Sequence, residues 1–226
     1  MDVFFLSYRE SNCETNWQRV LELHPNAMRI HGVSGIDKVH MLCDSISSSE
    51  YFWTVDGDNY LLMKLEYTEK IENDLLMFSA IDPLSNTSTF LGGVKLWKKN
   101  AMNADALQMG DFSLNATANK KTIEKNFSIS KYNQSPFDAW KTAFRHCVKL
   151  TSILLANRPN AKNINHYLKM WSQSNHSAAE NSQWAYNGYL DALEYTATHK
   201  DNKSELLKIN DYAWLSNMFN EKYETS

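Results

Sequence analysis

Two hydrophobic periods alternate along the first part of the chain. Val3 to Tyr8 is a short apolar run that predicts a strand, and a polar loop from Arg9 to Asn16 follows it. Trp17-Gln18-Arg19-Val20-Leu21-Glu22-Leu23 has helical spacing, stopped by Pro25-Asn26. Ala27 to Val33 reads as a second strand, Gly35 to Leu42 as a second helix ended by Ser47-Ser48-Ser49, and Tyr51 to Val55 as a third strand. Strand, helix, strand, helix, strand in so short a stretch predicts a parallel sheet with right-handed crossovers. Leu75 to Ile81 and Thr89 to Trp97 predict further strands, joined by the loop Asp82-Pro83-Leu84-Ser85-Asn86. Met102 to Ser128 is polar and mixed and reads as a loop with a short helix. Ser135-Pro136 opens a helix running from Phe137 to Leu155, with proline in the first turn. Arg158-Pro159-Asn160 breaks the chain, and the remainder is helical, most clearly over Trp184 to Thr196 and Asp211 to Phe219. The expected class is α/β: a Rossmann-type nucleotide-binding sheet with flanking helices and a helical C-terminal part.

Composition narrows this picture. With 226 residues, 43% hydrophobic and 12% aromatic, the chain is long enough to bury a core in one domain. No apolar run approaches the ~20 residues of a membrane helix, so no membrane partner is expected. The start, Met1-Asp2-Val3-Phe4-Phe5-Leu6, lacks a basic segment and reads as a first strand rather than a signal peptide. Cys13, Cys43 and Cys147 have no metal-like spacing and leave one unpaired, which suits a reducing, cytoplasmic compartment. The net charge of −3 is unevenly spread: residues 1–90 carry 6 Lys/Arg against 14 Asp/Glu, and residues 91–150 carry 10 against 4. An acidic first part and a basic middle suit a metal–nucleotide in one place and a polyanion nearby; ordinary scatter of surface charge is the alternative.

The candidate chemistry begins at Phe52-Trp53-Thr54-Val55-Asp56-Gly57-Asp58, an apolar strand ending in an Asp-x-Asp pair. Mg²⁺ and Mn²⁺ prefer oxygen ligands and commonly bind through one or two carboxylates plus substrate phosphates. Asp-Gly is also a strong turn dipeptide, so a purely structural turn stays open. Ser7-Tyr8, His31-Gly32 and Asp56-Gly57-Asp58 all fall at the carboxyl ends of predicted strands, where open α/β sheets bind ligands.

Those segments also carry a family resemblance. Asp2 to Tyr8, His31-Gly32-Val33 with Gly35-Ile36 and His40, and Phe52 to Asp58 resemble phage glycosyltransferases of the TET/JBP-associated type, themselves similar to the C-terminal domain of the metazoan GREB protein. Gly92-Gly93-Val94-Lys95-Leu96, Ser135-Pro136-Phe137 with Trp140 and Phe144-Arg145, Cys147-Val148-Lys149-Leu150, and Ile209-Asn210-Asp211-Tyr212 with Trp214-Leu215 continue the match in order. The chain departs from the family pattern at His146, where an acidic residue is common, and over Ser172 to Ser177. The resemblance implies a GT-A-like domain over residues 1–226, with a nucleotide-sugar half (1–100) and a mostly helical acceptor half (101–226). It implies a metal-dependent enzyme that transfers sugar from a UDP-sugar to hydroxymethylated pyrimidines, such as 5-hydroxymethylcytosine, in double-stranded phage DNA in the host cytoplasm. A protein or small-molecule acceptor, or a non-catalytic nucleotide- or nucleic-acid-binding module, are the alternatives.

Under that resemblance Asp58 is the expected direct ligand of Mn²⁺ or Mg²⁺. Asp56 reaches the metal through water or the ribose, and His176 or His166 is a possible third ligand. Ser7, Tyr8 and Glu10 are expected at the nucleotide, with Gly35, His31 and Lys38 offering backbone N–H groups and positive charge to phosphate. Lys95 faces the donor phosphates or the acceptor, Asp138 is the candidate base, and Arg145 a phosphate contact or a structural ion pair. Asp138 is equally a favourable first-turn acid on its helix. Lys98, Lys99, Lys120, Lys121, Lys125 and Lys131 would track DNA phosphates, or simply face solvent. A flipped-out base would stack on an aromatic such as Tyr132, Trp97 or Trp184.

Overall fold

The computed structural model describes residues 1–89, 93–103, 105–106, 111–155 and 161–224. They form two compact units, residues 1–105 with 115–132, and residues 106–114 with 133–226. A one-turn helix, α3 (Phe112–Asn115), lies at the second junction in the sequence.

The first unit is a mixed sheet flanked by two helices. Its strands are β1 (Asp2–Ser7), β2 (Met28–His31), β3 (Tyr51–Asp56), β4 (Asn59–Leu61), β5 (Leu75–Ile81), β6 (Ser88–Thr89), β7 (Val94–Lys98) and β8 (Lys120–Ser130). The order is β2-β1-β3-β7-β5-β8-β4, with β6 paired to β5. β1 runs parallel to β2 and β3, through α1 (Cys13–Leu23) and α2 (Ile36–Ile46). This is the α/β class and the strand–helix alternation expected. From β3 to β7 the pairing turns antiparallel, so the sheet is mixed rather than wholly parallel.

Val3, Phe4, Phe5 and Leu6 are all buried, as are Phe52, Trp53, Thr54 and Val55. A strand covered on both faces reads as a continuous apolar run, which is why these two were legible. One face packs Trp53, Phe78 and Phe127, with Phe127 T-shaped to the other two rings and ring centroids 5.0–5.5 Å apart. The other sets Trp97 against His40 of α2.

Two expectations need correction here, and one strand was missed. Met102 to Ser128 is not a loop with a short helix, since it ends in the eleven-residue strand β8. Thr89 to Trp97 is not one strand; β6 ends at Thr89 and β7 begins at Val94, with Phe90 to Gly92 outside the described residues. The three-residue strand β4 directly after Asp58 is not among the expected elements, although Tyr60-Leu61-Leu62-Met63 is an apolar run that could have signalled it.

The second unit is helical: α4 (Pro136–Thr151), α5 (Ala161–Ser172), α6 (Ser182–Thr198), α7 (Lys203–Leu207) and α8 (Tyr212–Tyr223). Ser135 caps α4, accepting from the Asp138 N–H at 3.0 Å, with Pro136 in the first turn as expected. The helix stops at Thr151, four residues before the expected end, and Ser152 is its C-cap. Trp140 stacks on Phe144 (4.8 Å) and meets Phe219 of α8, and this aromatic cluster fills the core. The Arg158 to Asn160 break lies outside the described residues.

Candidate active site

The parallel strands bring the expected residues of the first unit together. Ser7 is paired with His31, and Leu6 with Asp56, so the carboxyl ends of β1, β2 and β3 lie side by side. The chain passes from β1 to β2 on one side and then to β3 on the other. That reversal between β1 and β3 is the switch point where open α/β sheets hold ligands.

Asp56 ends β3 and carries two different oxygens. Oδ2 accepts from Lys95 Nζ at 2.9 Å, and the lysine side chain is only 6% exposed. Oδ1 is buried with no hydrogen-bond partner among the described residues. A buried carboxylate oxygen without a donor is costly. Lys95 reaches Asp56 because β7 pairs antiparallel with β3. His40, wholly buried, hydrogen-bonds the Ile36 carbonyl through Nδ1 at 2.8 Å. Burial, then the Lys95 charge, push its pKa down to about 4.

Gly57 and Asp58 turn the chain from β3 into β4, so the turn reading holds in the geometry and does not compete with the other. Asp58 is partly exposed, and its Oδ1 accepts from Asn59 Nδ2 at 2.7 Å. The turn is anchored from both sides: Asn16 Nδ2 donates to the Gly57 carbonyl at 2.8 Å, and the Lys131 N–H to the Asp58 carbonyl at 2.7 Å. Glu10 curls back so that its Oε2 accepts from the Tyr8 N–H at 2.7 Å, lying against Gly57. Arg9 sits over the Tyr8 ring, 5.3 Å from its centroid.

At β2, Arg29 Nε donates to Ser7 Oγ at 2.8 Å, and its other nitrogens grip Glu14 at 2.6 and 2.8 Å. Arginine only donates, so its 3.3 Å contact with His31 Nδ1 makes that nitrogen the acceptor. His31 is thereby set with its N–H on Nε2, at an exposed strand end. Gly35 opens α2 at φ +108°, a conformation side chains rarely adopt. The exposed Lys38 folds back across it.

Two carboxylates do not make a metal cage alone. No group of three or more His, Cys, Asp or Glu able to hold an ion occurs among the described residues. Asp58 with Asp56 does fit a Mg²⁺ or Mn²⁺ that takes its remaining ligands from phosphate and water. Bound there, such an ion would neutralise a departing diphosphate as a Lewis acid.

The other expected residues have the following surroundings. His176 ends a 3₁₀ turn and His166 lies on α5, both exposed in the second unit. Asp138 is 7% exposed and both its oxygens are engaged, Oδ2 by Ser135 Oγ and Oδ1 by Lys141 Nζ, each at 2.8 Å. Arg145 donates to the Ile209 carbonyl at 2.7 Å and to the Tyr212 hydroxyl at 3.0 Å, tying α4 to the approach to α8.

Among the lysines, Lys99 bonds the Ser47 carbonyl, Lys120 the Thr117 carbonyl at 3.1 Å and Lys125 the Glu66 carbonyl at 3.3 Å. Lys131 lies over Tyr60, Lys98 is half-buried and Lys121 exposed. Two aromatic expectations are overturned. Trp97 is wholly buried and donates to Thr54 Oγ1, and Tyr132 is 1% exposed with its hydroxyl on Asp82. Neither can stack on a base. Trp184 packs against Phe219 and Tyr223.

Sequence reasoning missed Arg29, Asn59 and Ser128. Arg29 stands two residues before His31 on one strand, hence on the same face, and that spacing was a usable signal.

No protein-family model and no curated protein matches the chain. Among solved structures it is similar to a mannosyltransferase from Pyrobaculum calidifontis in complex with GDP-Man and Mn²⁺. That match has 10% identity and a TM-score of 0.42, over 99% of this chain and 88% of that one. It is also similar to a glycosyltransferase involved in glycosylation of the major capsid of PBCV-1 (10% identity, TM-score 0.38, 55% of this chain and 82% of that one). A third is S. aureus TarS 1–349 (12% identity, TM-score 0.37, 96% and 92%).

Proposed function

We propose that the protein is a metal-dependent glycosyltransferase that takes a sugar from a UDP-sugar. One observation carries the reading: at the β1/β3 switch point a partly exposed Asp58 stands beside Asp56, whose buried Oδ1 has no protein partner among the described residues. In this reading Asp58 holds Mn²⁺ or Mg²⁺, and Asp56, fixed by Lys95, takes a ribose hydroxyl or metal-bound water through Oδ1. Ser7, Tyr8 and Glu10 line the nucleotide, while His31 Nε2–H, Lys38 and the start of α2 face its phosphates.

The family resemblance supplies the acceptor, a hydroxymethylated pyrimidine in double-stranded DNA, with Lys121, Lys125 and Lys131 toward its phosphates. Asp138 and Arg145 stay out of the proposed chemistry because their polar atoms already hold helix ends.

The test is a panel of UDP-sugars incubated with Mn²⁺ and duplexes carrying either 5-hydroxymethylcytosine or cytosine, read by intact-mass spectrometry. The reading expects one hexose or pentose mass added to the hydroxymethylated duplex alone. UDP release without transfer to DNA would remove the DNA acceptor and keep the donor half. Absence of both transfer and UDP release would remove the reading.

A further inference from the structure

Asn59 follows the carboxylate pair directly and opens β4, 1% exposed. Its amide nitrogen donates to Asp58 Oδ1 and its amide oxygen accepts from Ser128 Oγ, each at 2.7 Å. A carboxylate only accepts, so it takes the NH₂ end and leaves the amide oxygen to the serine hydroxyl. Ser128 is itself wholly buried and arrives on β8, 69 residues along the chain. The remaining wall is Gly93, where a Cβ would lie 1.8 Å from the Asn59 amide nitrogen. Residues from three strands or strand ends thus fix one amide, and the amide fixes the carboxylate in front of it.

We propose that Asn59 is a positioning residue for Asp58, setting the plane of that carboxylate for a divalent cation. The inference rests on the metal–nucleotide reading above. Mg²⁺-like ions demand near-ideal octahedral geometry, so a ligand that swings costs affinity. Hydrogen bonds that orient a ligating carboxylate typically govern about 10–100-fold in metal affinity. Asn59 is buried behind Asp58 and acts through it.

Two variants test this. Asn59→Asp keeps the size and shape beside Gly93 but replaces the donor facing Asp58 with an acceptor. Ser128→Ala keeps Asn59 and removes the hydroxyl that orients it. Mn²⁺ uptake with saturating UDP is followed by loss of the free-ion electron paramagnetic resonance signal, with thermal melts of each variant alongside. The Mn²⁺ dissociation constant is expected to rise about 10–100-fold in Asn59→Asp and about 3–10-fold in Ser128→Ala. Should Asn59→Asp not fold, Ser128→Ala alone decides. Wild-type Mn²⁺ affinity in these variants, together with its loss in Asp58→Ala, would overturn the positioning role and leave the metal reading intact. If the wild-type protein itself takes up no Mn²⁺ with UDP present, both fall together.

Discussion

Asp56 in the first unit and Asp191 in the second are both held by a lysine, yet they are finished differently. Asp191, 6% exposed on α6, accepts from Trp140 Nε1 and the Tyr223 hydroxyl on Oδ2, each at 2.7 Å, and from Lys222 on Oδ1 at 2.8 Å. Both oxygens are satisfied from within the protein. Asp56 has Lys95 on one oxygen, and on the other no donor among the described residues. Folding alone accounts for Asp191, since each donor ties one helix to another. It does not account for Asp56, because a buried oxygen without a partner works against the fold. The contrast is the basis for proposing a ligand at Asp56 and none at Asp191.

The sharpest way to break that contrast is Asp58→Ala. Losing the proposed metal ligand should lower turnover about 10²–10³-fold, the scale of removing one preorganised transition-state contact. Asp58 is itself partly exposed, but its loss leaves the buried Asn59 amide without its acceptor, about 1–3 kcal/mol and hence roughly 2–10 °C in melting temperature. Loss of activity that merely tracked unfolding would contradict the assignment.

Asp191→Ala should behave in the opposite sense. It strands the buried indole N–H of Trp140 and removes one partner of Lys222, so unfolding in denaturant should become easier by about 3 kcal/mol. UDP binding by the folded fraction should be unchanged.

His40 sharpens the comparison through pH. It is neutral in the fold with a pKa of about 4, and it takes up a proton near pH 6.5 once the chain unfolds. The unfolded state binds more protons between those values, so its contribution is full above pH 6.5 and is lost as pH falls toward 4. The shift corresponds to roughly 3 kcal/mol over that window. Half-buried His146, bonded to Trp171 Nε1 at 3.0 Å and pushed down to about 3, adds a second share from the other unit. Denaturant titrations at pH 7 and pH 4.5 should show a flatter acid loss in His40→Leu than in wild type; parallel curves would contradict the buried neutral imidazole.

Gly93→Ala touches neither carboxylate. Its Cβ would collide with the Asn59 amide and disturb Asp58 at one remove. Mn²⁺ affinity should fall about 10-fold, measured by competition with a metal indicator dye; an unchanged value would mean the Asn59 contact is slack.

The legible parts of the fold share a physical cause. β1 and β3 are buried on both faces and read as apolar runs, and α4 announces itself by Ser135-Pro136. β8 did not, because Lys120, Lys121, Glu124 and Lys125 are exposed or half-exposed and only its far end, at Phe127 and Ser128, enters the core. Within the site, Ser7, His31, Asp56 and Asp58 were readable because strand ends are where such sheets bind ligands. Lys95 was singled out for its glycines, but its partner Asp56 depends on the β3–β7 register. Asn59 and Ser128 meet across 69 residues, a contact that neither spacing nor composition reports. Trp97 and Tyr132 mislead for the converse reason: an aromatic ring has the same letter in a core as on a platform.

The central claim is tested most directly by calorimetric titration of UDP into the protein with and without Mn²⁺, repeated with Asp58→Ala. The account predicts binding that requires Mn²⁺ and disappears in the variant. UDP binding indifferent to both metal and substitution, or no binding under any condition, would contradict it.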